Sequence, residues 1–424
     1  MSTRDSIPRR WFLELGVGAA LSFGLGLPFG GERRAFAKGA ANAKKKTPHA
    51  RACILLYMEG GPSQLDTFDP KPGRPTGGPF KAIETNVKGI RISEHLPRLA
   101  KQMKRLALIR SLTSKEGNHD RARHLMHTGY PPQGGVDHPA FGSIVALTRD
   151  SRSLPGYVAI GGPGEDAGFL DASYSPFPVL DPTKPTRNLG YAGGVDPARF
   201  DMRLGLWRTL QGDFATDHPG VLAGGQTSVG EQAVALMRSP SVTAFDIASE
   251  PDAVKQAYGS TPFGAGCLMA RRLVAAGIPF VEVLLKGWDT HESNFPRVTD
   301  LSATLDQGMS ALLDDLGKSG LLDSTLVLWM GDFGRTPAIN ERGGRDHFPT
   351  ASNIVLAGGG VKGGQVIGAT NDNGDEIVTR PVSVPDLYRS VAWAMQVDAD
   401  KQRFAPSGRP VKTVDGGQII SELF

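Results

Sequence analysis

The sequence predicts an α/β fold in three layers, with a mostly parallel central sheet flanked by helices. Three observations carry that prediction. First, apolar runs rich in β-branched residues recur at 52–58 (ACILLYM), 106–110 (LALIR), 278–285 (IPFVEVLL), 325–330 (TLVLWM) and 353–357 (NIVLA), and short runs bounded by turn residues read as buried parallel strands. Second, between 285 and 325 the apolar residues Leu301, Leu305, Met309, Leu312, Leu313 and Leu316 recur at three and four, while Asp306, Gln307, Asp314 and Asp315 take the other face, the pattern of an amphipathic helix. Gly317 and Gly320 supply its stop. Third, a strand–helix–strand crossover places the loops after residues 285 and 330 on one rim, where ligands of open α/β sheets gather.

The rim residues follow from those loops. Gly287-Trp288-Asp289-Thr290-His291, Gly331-Asp332-Phe333-Gly334-Arg335 and Gly344-Arg345-Asp346-His347-Phe348-Pro349 bring Asp289, His291, Asp332, Asp346 and His347 together. Carboxylates and neutral imidazoles on one rim are ligands for zinc, manganese or magnesium, whereas oxygen-only sets favour calcium or magnesium. The loop after the first strand, Glu59 to Pro72, adds the candidate metal ligands Glu59 and Asp66; Asp69, before Pro70, reads as turn chemistry.

After the strand at 106–110 comes Gly117-Asn118-His119-Asp120-Arg121-Ala122-Arg123, with Asn118 a good N-cap for a helix reaching His127. The free N–H groups at such a helix start suit phosphate or sulfate. His119 and Arg123 are therefore candidate catalytic residues, and Asn118, Arg121 and Arg335 candidate substrate-binding residues. His124 and His127 lie further down the helix and read as packing residues.

Elsewhere the reading is coarser. A short helix is expected at 92–103, a strand at 154–161, short helices at 228–238 and 242–249, a hairpin at 365–380 turning at Asn373-Gly374 in type I′, and a closing helix to Met395 entered through Ser383, Pro385 and Asp386. Residues 154–250 read as a region that shapes substrate choice.

At the N-terminus, Arg9-Arg10-Trp11-Phe12-Leu13, an apolar run to Leu27 and Ala35-Phe36-Ala37 resemble a twin-arginine export signal removed after residue 37. Residues 38–50, with Lys44-Lys45-Lys46, read as a linker, leaving 51–424 as one α/β domain. The expected location is therefore periplasmic or secreted, with the twin-arginine translocation machinery as a partner and no stable membrane span after cleavage. With 47 Lys and Arg against 43 Asp and Glu, and no basic stripe interleaved with aromatics, nucleic acid is not an expected partner. Two cysteines, Cys53 and Cys267, make neither a disulfide framework nor a metal quartet.

Taken as a set, the GGPSQLDTFDPKP loop, the GWDTHESNF, GDFGRTP and GRDHFP motifs and the twin-arginine leader resemble the DUF1501 family of exported bacterial proteins, which is similar to the alkaline phosphatase and sulfatase superfamily. The resemblance runs from about Ile54 to Trp393. It implies a sulfatase-like α/β fold and a hydrolase of phosphate or sulfate esters with one or two divalent ions, acting on an anionic small-molecule or glycan ester. It places the first-strand metal carboxylate on Glu59 or Asp66 and a later Asp-His pair on Asp332 and Phe333. The isolated histidine falls on His347 with Asp346 beside it, and the mid-chain Asp and His on Asp289 and His291. Aligning Thr128-Gly129 with the end of the sulfatase signature puts His119 where that family has Cys or Ser, and Arg123 on its usual Arg. The oxygen or sulfur nucleophile is thus missing, which leaves a metal-bound water, His119 as base or nucleophile, or a noncatalytic anion- or partner-binding protein; the loss of a ligand at Phe333 points from two ions toward one.

Overall fold

A computed structural model describes residues 50–132, 135–149, 154–218 and 221–424; the leader and all of the linker but Ala50 lie outside them. The chain enters the fold at Ala50, whose N–H donates to the Ala394 carbonyl at 2.8 Å. The strands of the central sheet are β1 Ala52–Met58, β2 Leu106–Thr113, β3 Tyr157–Ile160, β4 Phe177–Val179, β5 Phe280–Leu285, β6 Thr325–Gly331, β7 Ser352–Gly358, β8 Gln365–Ile367 and β9 Val382–Ser383. Their order is β8-β2-β7-β6-β1-β5-β3-β4, with β9 also on β2. Only β7 runs antiparallel to its neighbours. The mostly parallel sheet that the apolar runs predicted is therefore the one the chain forms.

The principal helices are α1 His119–Thr128, α2 Phe141–Arg149, α3 Pro197–Asp217, α4 Val221–Arg238, α5 Pro262–Ala275, α6 Asn294–Lys318 and α7 Val384–Ala394. Alternation along β1 sorts the layers. Ile54, Leu56 and Met58 join one buried cluster with Leu268 and Leu273 of α5 and Leu305, Met309, Leu312 and Leu313 of α6. Cys53, Leu55 and Tyr57 join the other with Phe141 and Ile144 of α2 and Leu387 and Val391 of α7. Each fully buried leucine contributes about 1.5–3 kcal/mol, so a strand buried on both faces is a heavy anchor. Both cysteines are buried and free.

Register brings the rim together. Met58 lies level with Leu285 of β5 on one side and Gly331 of β6 on the other, so Glu59, Lys286 and Asp332 leave the sheet at one height. Differences from expectation are local. Residues 92–103 hold no continuous helix: Arg91–Ser93 pairs with Ala82–Glu84, and only Pro97–Ala100 is α-helical, started by its proline. The segment 242–249 is made of 3₁₀ turns. Asn373-Gly374 is not a type I′ turn, because only Gly374 has positive φ (75°), whereas that turn requires both; the Asn371 side chain instead accepts from the Asn373 and Asp375 N–H groups. α7 opens with Ser383 and Asp386 in a reciprocal capping box.

Candidate metal centre

The three loops touch backbone to backbone. Gly60, at φ 104°, would place a Cβ 2.3 Å from the Asp289 nitrogen, and Gly344 would place one 2.0 Å from the His291 carbonyl oxygen; any side chain at either position would push the loops apart. Under them lies Arg335, fully buried. Its guanidinium donates to the Gly60 carbonyl, to the Gly61 carbonyl at 3.0 Å, to the Arg345 carbonyl at 3.3 Å and to Asp289 Oδ1 at 2.7 Å. This candidate substrate residue is spent on holding the scaffold.

Above that base three donor groups converge, with His291 at their edge. Ligand atoms of His119, Asp289 and His347 all lie within 4.8 Å of one another. Asp289 Oδ1 is 3.3 Å from His119 Nε2, 3.1 Å from His291 Nε2 and 3.5 Å from His347 Nε2. The Nε2 atoms of His291 and His347 are 2.9 Å apart. Each ring is oriented from behind through Nδ1: His119 to Asp332 Oδ2 at 2.7 Å, His291 to Asp346 Oδ1 at 2.7 Å, and His347 to the Gly117 carbonyl at 2.6 Å. A carbonyl only accepts, and so does an ionised carboxylate, so the proton is assigned to every Nδ1, which leaves each Nε2 as the atom that can turn a lone pair inward. His119 Nε2 is buried with no hydrogen-bond partner among the described residues.

Charge follows the same geometry. The hydrogen bond to Asp332 raises the His119 pKa against the opposing effect of burial. Burial pushes the Asp289 carboxyl upward, but the Arg335 hydrogen bond and the charges of Arg335, His119 and His291 outweigh it and hold it below the usual range. Burial, with the nearby Arg335, His119 and His291, keeps His347 below an ordinary imidazole despite its bond to Gly117.

The remaining sequence candidates take other places. Asp332 is buried, with its oxygens engaged by the Tyr57 hydroxyl, the Gly60 N–H at 3.0 Å and His119; it stands behind the imidazole and not among the converging atoms. Asp346 likewise stands behind His291, and the Asn340 amide donates to it at 3.3 Å. Asp66 faces away: Arg345 grips both its oxygens at 2.8 and 3.1 Å, and Asn294 donates to it at 2.9 Å. Asn118 caps α1 by accepting from the Arg121 N–H, and Arg121 forms a fork with Glu116 at 2.7 and 2.8 Å. Glu59 and Arg123 do line the open cleft of about 320 Å³ beside the centre, with Gly60, His119, Asp120, Gly287, Asp289 and Asp332.

α1 is held to the sheet by a buried pair that the sequence reading passed over as packing. His127 donates from Nδ1 to the Arg123 carbonyl at 2.8 Å and lies 3.2 Å from Glu282 on β5. Burial opposes its charge, but Glu282 wins and raises its pKa. Tyr57 is a further unpredicted participant. Its ring packs 4.3 Å from that of His127 while its hydroxyl holds Asp332; the one hint was a hydroxyl inside the apolar run ACILLYM.

Fold and site together describe an α/β protein with a cluster of imidazoles and carboxylates at the carboxyl rim of its sheet, among them a group that could hold a metal ion. The chain belongs to the family described as "Protein of unknown function (DUF1501)", which matches it over residues 50–424. No curated protein matches it. Among solved structures it is similar to a protein in the alkaline phosphatase superfamily from Vibrio parahaemolyticus (12% identity, TM-score 0.41, 89% of this chain and 71% of that one). It is also similar to the crystal structure titled Ps i-CgsB (12%, 0.39, 81% and 72%) and to alkaline phosphatase from the Antarctic bacterium TAB5 (14%, 0.34, 82% and 99%). No helix among the described residues is long and apolar enough to cross a membrane.

Proposed function

We propose that this chain is an exported, metal-dependent hydrolase of phosphate or sulfate esters, with His119, Asp289 and His347 holding one divalent ion and His291 beside them. The observation that carries the reading is the convergence of three Nε2 atoms on Asp289 Oδ1, with each imidazole fixed through Nδ1 by an acceptor, the outer-shell arrangement of metal-bound histidines. Imidazole nitrogens beside a carboxylate oxygen favour zinc over manganese, calcium or magnesium. A second ion has no evident place, because the oxygens of Asp332 already accept from three donors and Phe333 offers only an apolar ring against His119 and His347.

A divalent ion held there supplies Lewis acidity, polarising an ester oxygen and acidifying water. The chain's own groups do the rest. Arg123, tethered by the Gly164 carbonyl at 3.0 Å and by Glu165 at 3.4 Å, presents a half-buried guanidinium to an anionic oxygen. Glu59 lines the same cleft, and its backbone is fixed by bonds to Leu285 and Trp288; in this reading its carboxylate takes a proton from an attacking water and returns it to the leaving alcohol. His119, engaged at Nδ1 by Asp332, serves as ligand and not as base.

Arg123→Ala is expected to weaken phosphate or sulfate binding by about 1.5–3 kcal/mol, the worth of a hydrogen bond to a charged group, by titration calorimetry. Asp332→Asn keeps an acceptor for His119 but removes the charge, and should weaken metal binding roughly 10- to 100-fold in competition with a chromophoric chelator. Unchanged affinity would remove Asp332 from the support of the centre. For export, Lys at both Arg9 and Arg10 should leave the protein in the cytoplasm; normal export of that variant would refute the leader assignment.

A second reading has one observation behind it: none of the residues lining the cleft is Ser, Thr or Cys, so the site would bind an anionic glycan or a partner protein without turnover. Metal analysis of purified protein, with a panel of aryl phosphates, aryl sulfates and phosphodiesters, separates the two. One ion per chain with metal-dependent turnover supports the hydrolase, and bound ion with no turnover of any ester supports the binder. Absence of any ion rejects the centre itself.

A further inference from the structure

α3 buries one side and leaves the other open, apart from Phe214, whose ring stacks on His218 at 4.5 Å. On the buried side Leu204 is 8% exposed, and the Trp207 indole packs so closely on Gly230 of α4 that a Cβ there would approach it to 2.5 Å. Arg208 forks onto Glu231 and Arg238 pairs with Asp201, which locks the α3–α4 hairpin. On the far side Met202, Leu206, Leu210 and Phe214 are 70%, 63%, 58% and 47% exposed. A spacing of four makes them a single ridge, about 18 Å long at 1.5 Å per residue. Scattered exposed hydrophobics are ordinary, but an aligned row of four large ones marks an interaction surface.

The charges on that face say what covers it. At 100° per residue, Arg199, Arg203, Asp213 and Asp217 fall on the same side as the ridge, with the cations toward its N-terminal end and the anions toward its C-terminal end. All four are exposed, and none forms an ion pair among the described residues; the only side-chain bond from Arg199 is to the Gly194 carbonyl. A parallel copy of α3 would set arginine beside arginine and aspartate beside aspartate. An antiparallel copy, related by a two-fold axis at the level of Arg208, sets Arg199 level with Asp217 and Arg203 level with Asp213. The same operation brings Met202 beside Phe214 and Leu206 beside Leu210, so the two ridges interdigitate. Arg208 itself points to Glu231 and away from the seam. Such a self-complementary patch is what an isologous dimer requires.

We infer that α3 is the self-association face of this protein, pairing antiparallel with α3 of a second copy. The test is sedimentation of the purified chain. The wild type should be a dimer, and Leu206→Asp combined with Leu210→Asp should raise the dimer dissociation constant at least about 100-fold, as expected for central anchors of an interface. Both positions are exposed, so the melting temperature at monomeric concentrations should not change. Arg199→Asp and Asp217→Arg should each weaken self-association, and an equimolar mixture of the two single variants should recover it as a heterodimer, because only the mixture pairs opposite charges at both ends. A monomeric wild type at about 100 µM, a dissociation constant too weak to matter for most proteins, overturns the inference. So does a dimer indifferent to the Leu206 and Leu210 changes. So, too, does α3-dependent binding to anionic lipid vesicles by a protein that stays monomeric.

Discussion

His347→Ala is expected to empty the metal centre. His347 sits between His291 and Asp289 at 2.9 and 3.5 Å, and its ring is aimed by the Gly117 carbonyl. Losing a direct ligand should cost more than the roughly 10- to 100-fold that loss of an outer partner costs. The effect reaches stability, because an ion that binds only the native state stabilises it by mass action, about 2.7 kcal/mol at 100 times its dissociation constant. Wild-type protein should therefore melt higher with zinc than with a chelator, and the variant should show the chelator value in both. The variant should not add fully to Asp332→Asn, since both act on one cluster. A full complement of ion and an unchanged metal-dependent shift in His347→Ala would reject the ligand assignment.

The largest loss of stability is expected from Arg345→Ala. Asp66 and Arg345 are both fully buried, and the guanidinium also satisfies the carbonyls of Thr336, Pro337 and Thr76 at 3.1, 2.5 and 2.8 Å. Without it, the Asp66 carboxylate keeps only the Asn294 amide. Breaking a buried pair from one side costs about 3–5 kcal/mol, whereas replacing both partners by apolar residues of similar size is often neutral. Urea unfolding should show that drop for Arg345→Ala and a smaller one for Arg345→Met combined with Asp66→Leu. A loss below about 1 kcal/mol would mean that the pair is solvated, as exposed pairs are.

How much of this was legible in the sequence depends on the range of the interaction. Strands 52–58, 278–285 and 325–330 announce themselves because burial on both faces keeps the run almost wholly apolar, with Glu282 the one charged residue in it. Asp289 and His291 could be named because their loop follows such a strand directly, and His347 because it stands beside Asp346 in the GRDHFP motif. Asp66 could not be placed, because a carboxylate in a glycine-rich loop looks the same whether it faces a cation or an arginine 279 residues later. The roles of Asp332 and Asp346 needed the imidazoles in position, since a residue behind a ligand and the ligand itself share a motif. α3 carried no amphipathic signal, because Phe200, Leu204 and Trp207 on one side are matched by Met202, Leu206, Leu210 and Phe214 on the other. A helix that is apolar around its girth loses the contrast by which sequence reveals it.

The position of β1 bears on how the protein is made. This strand is the first of the sheet to leave the ribosome, yet both its partners arrive late: Cys53 pairs with Phe280 on one edge and Leu326 on the other. Until synthesis has passed residue 285 both edges of β1 lack a native neighbour, and until it has passed residue 331 one edge still does. Such long-range pairing is slow and leaves the nascent chain exposed to aggregation. Truncations ending before β6 should therefore be insoluble instead of forming smaller folded domains, and a cell that makes this protein needs a holding chaperone until residue 331 has been translated.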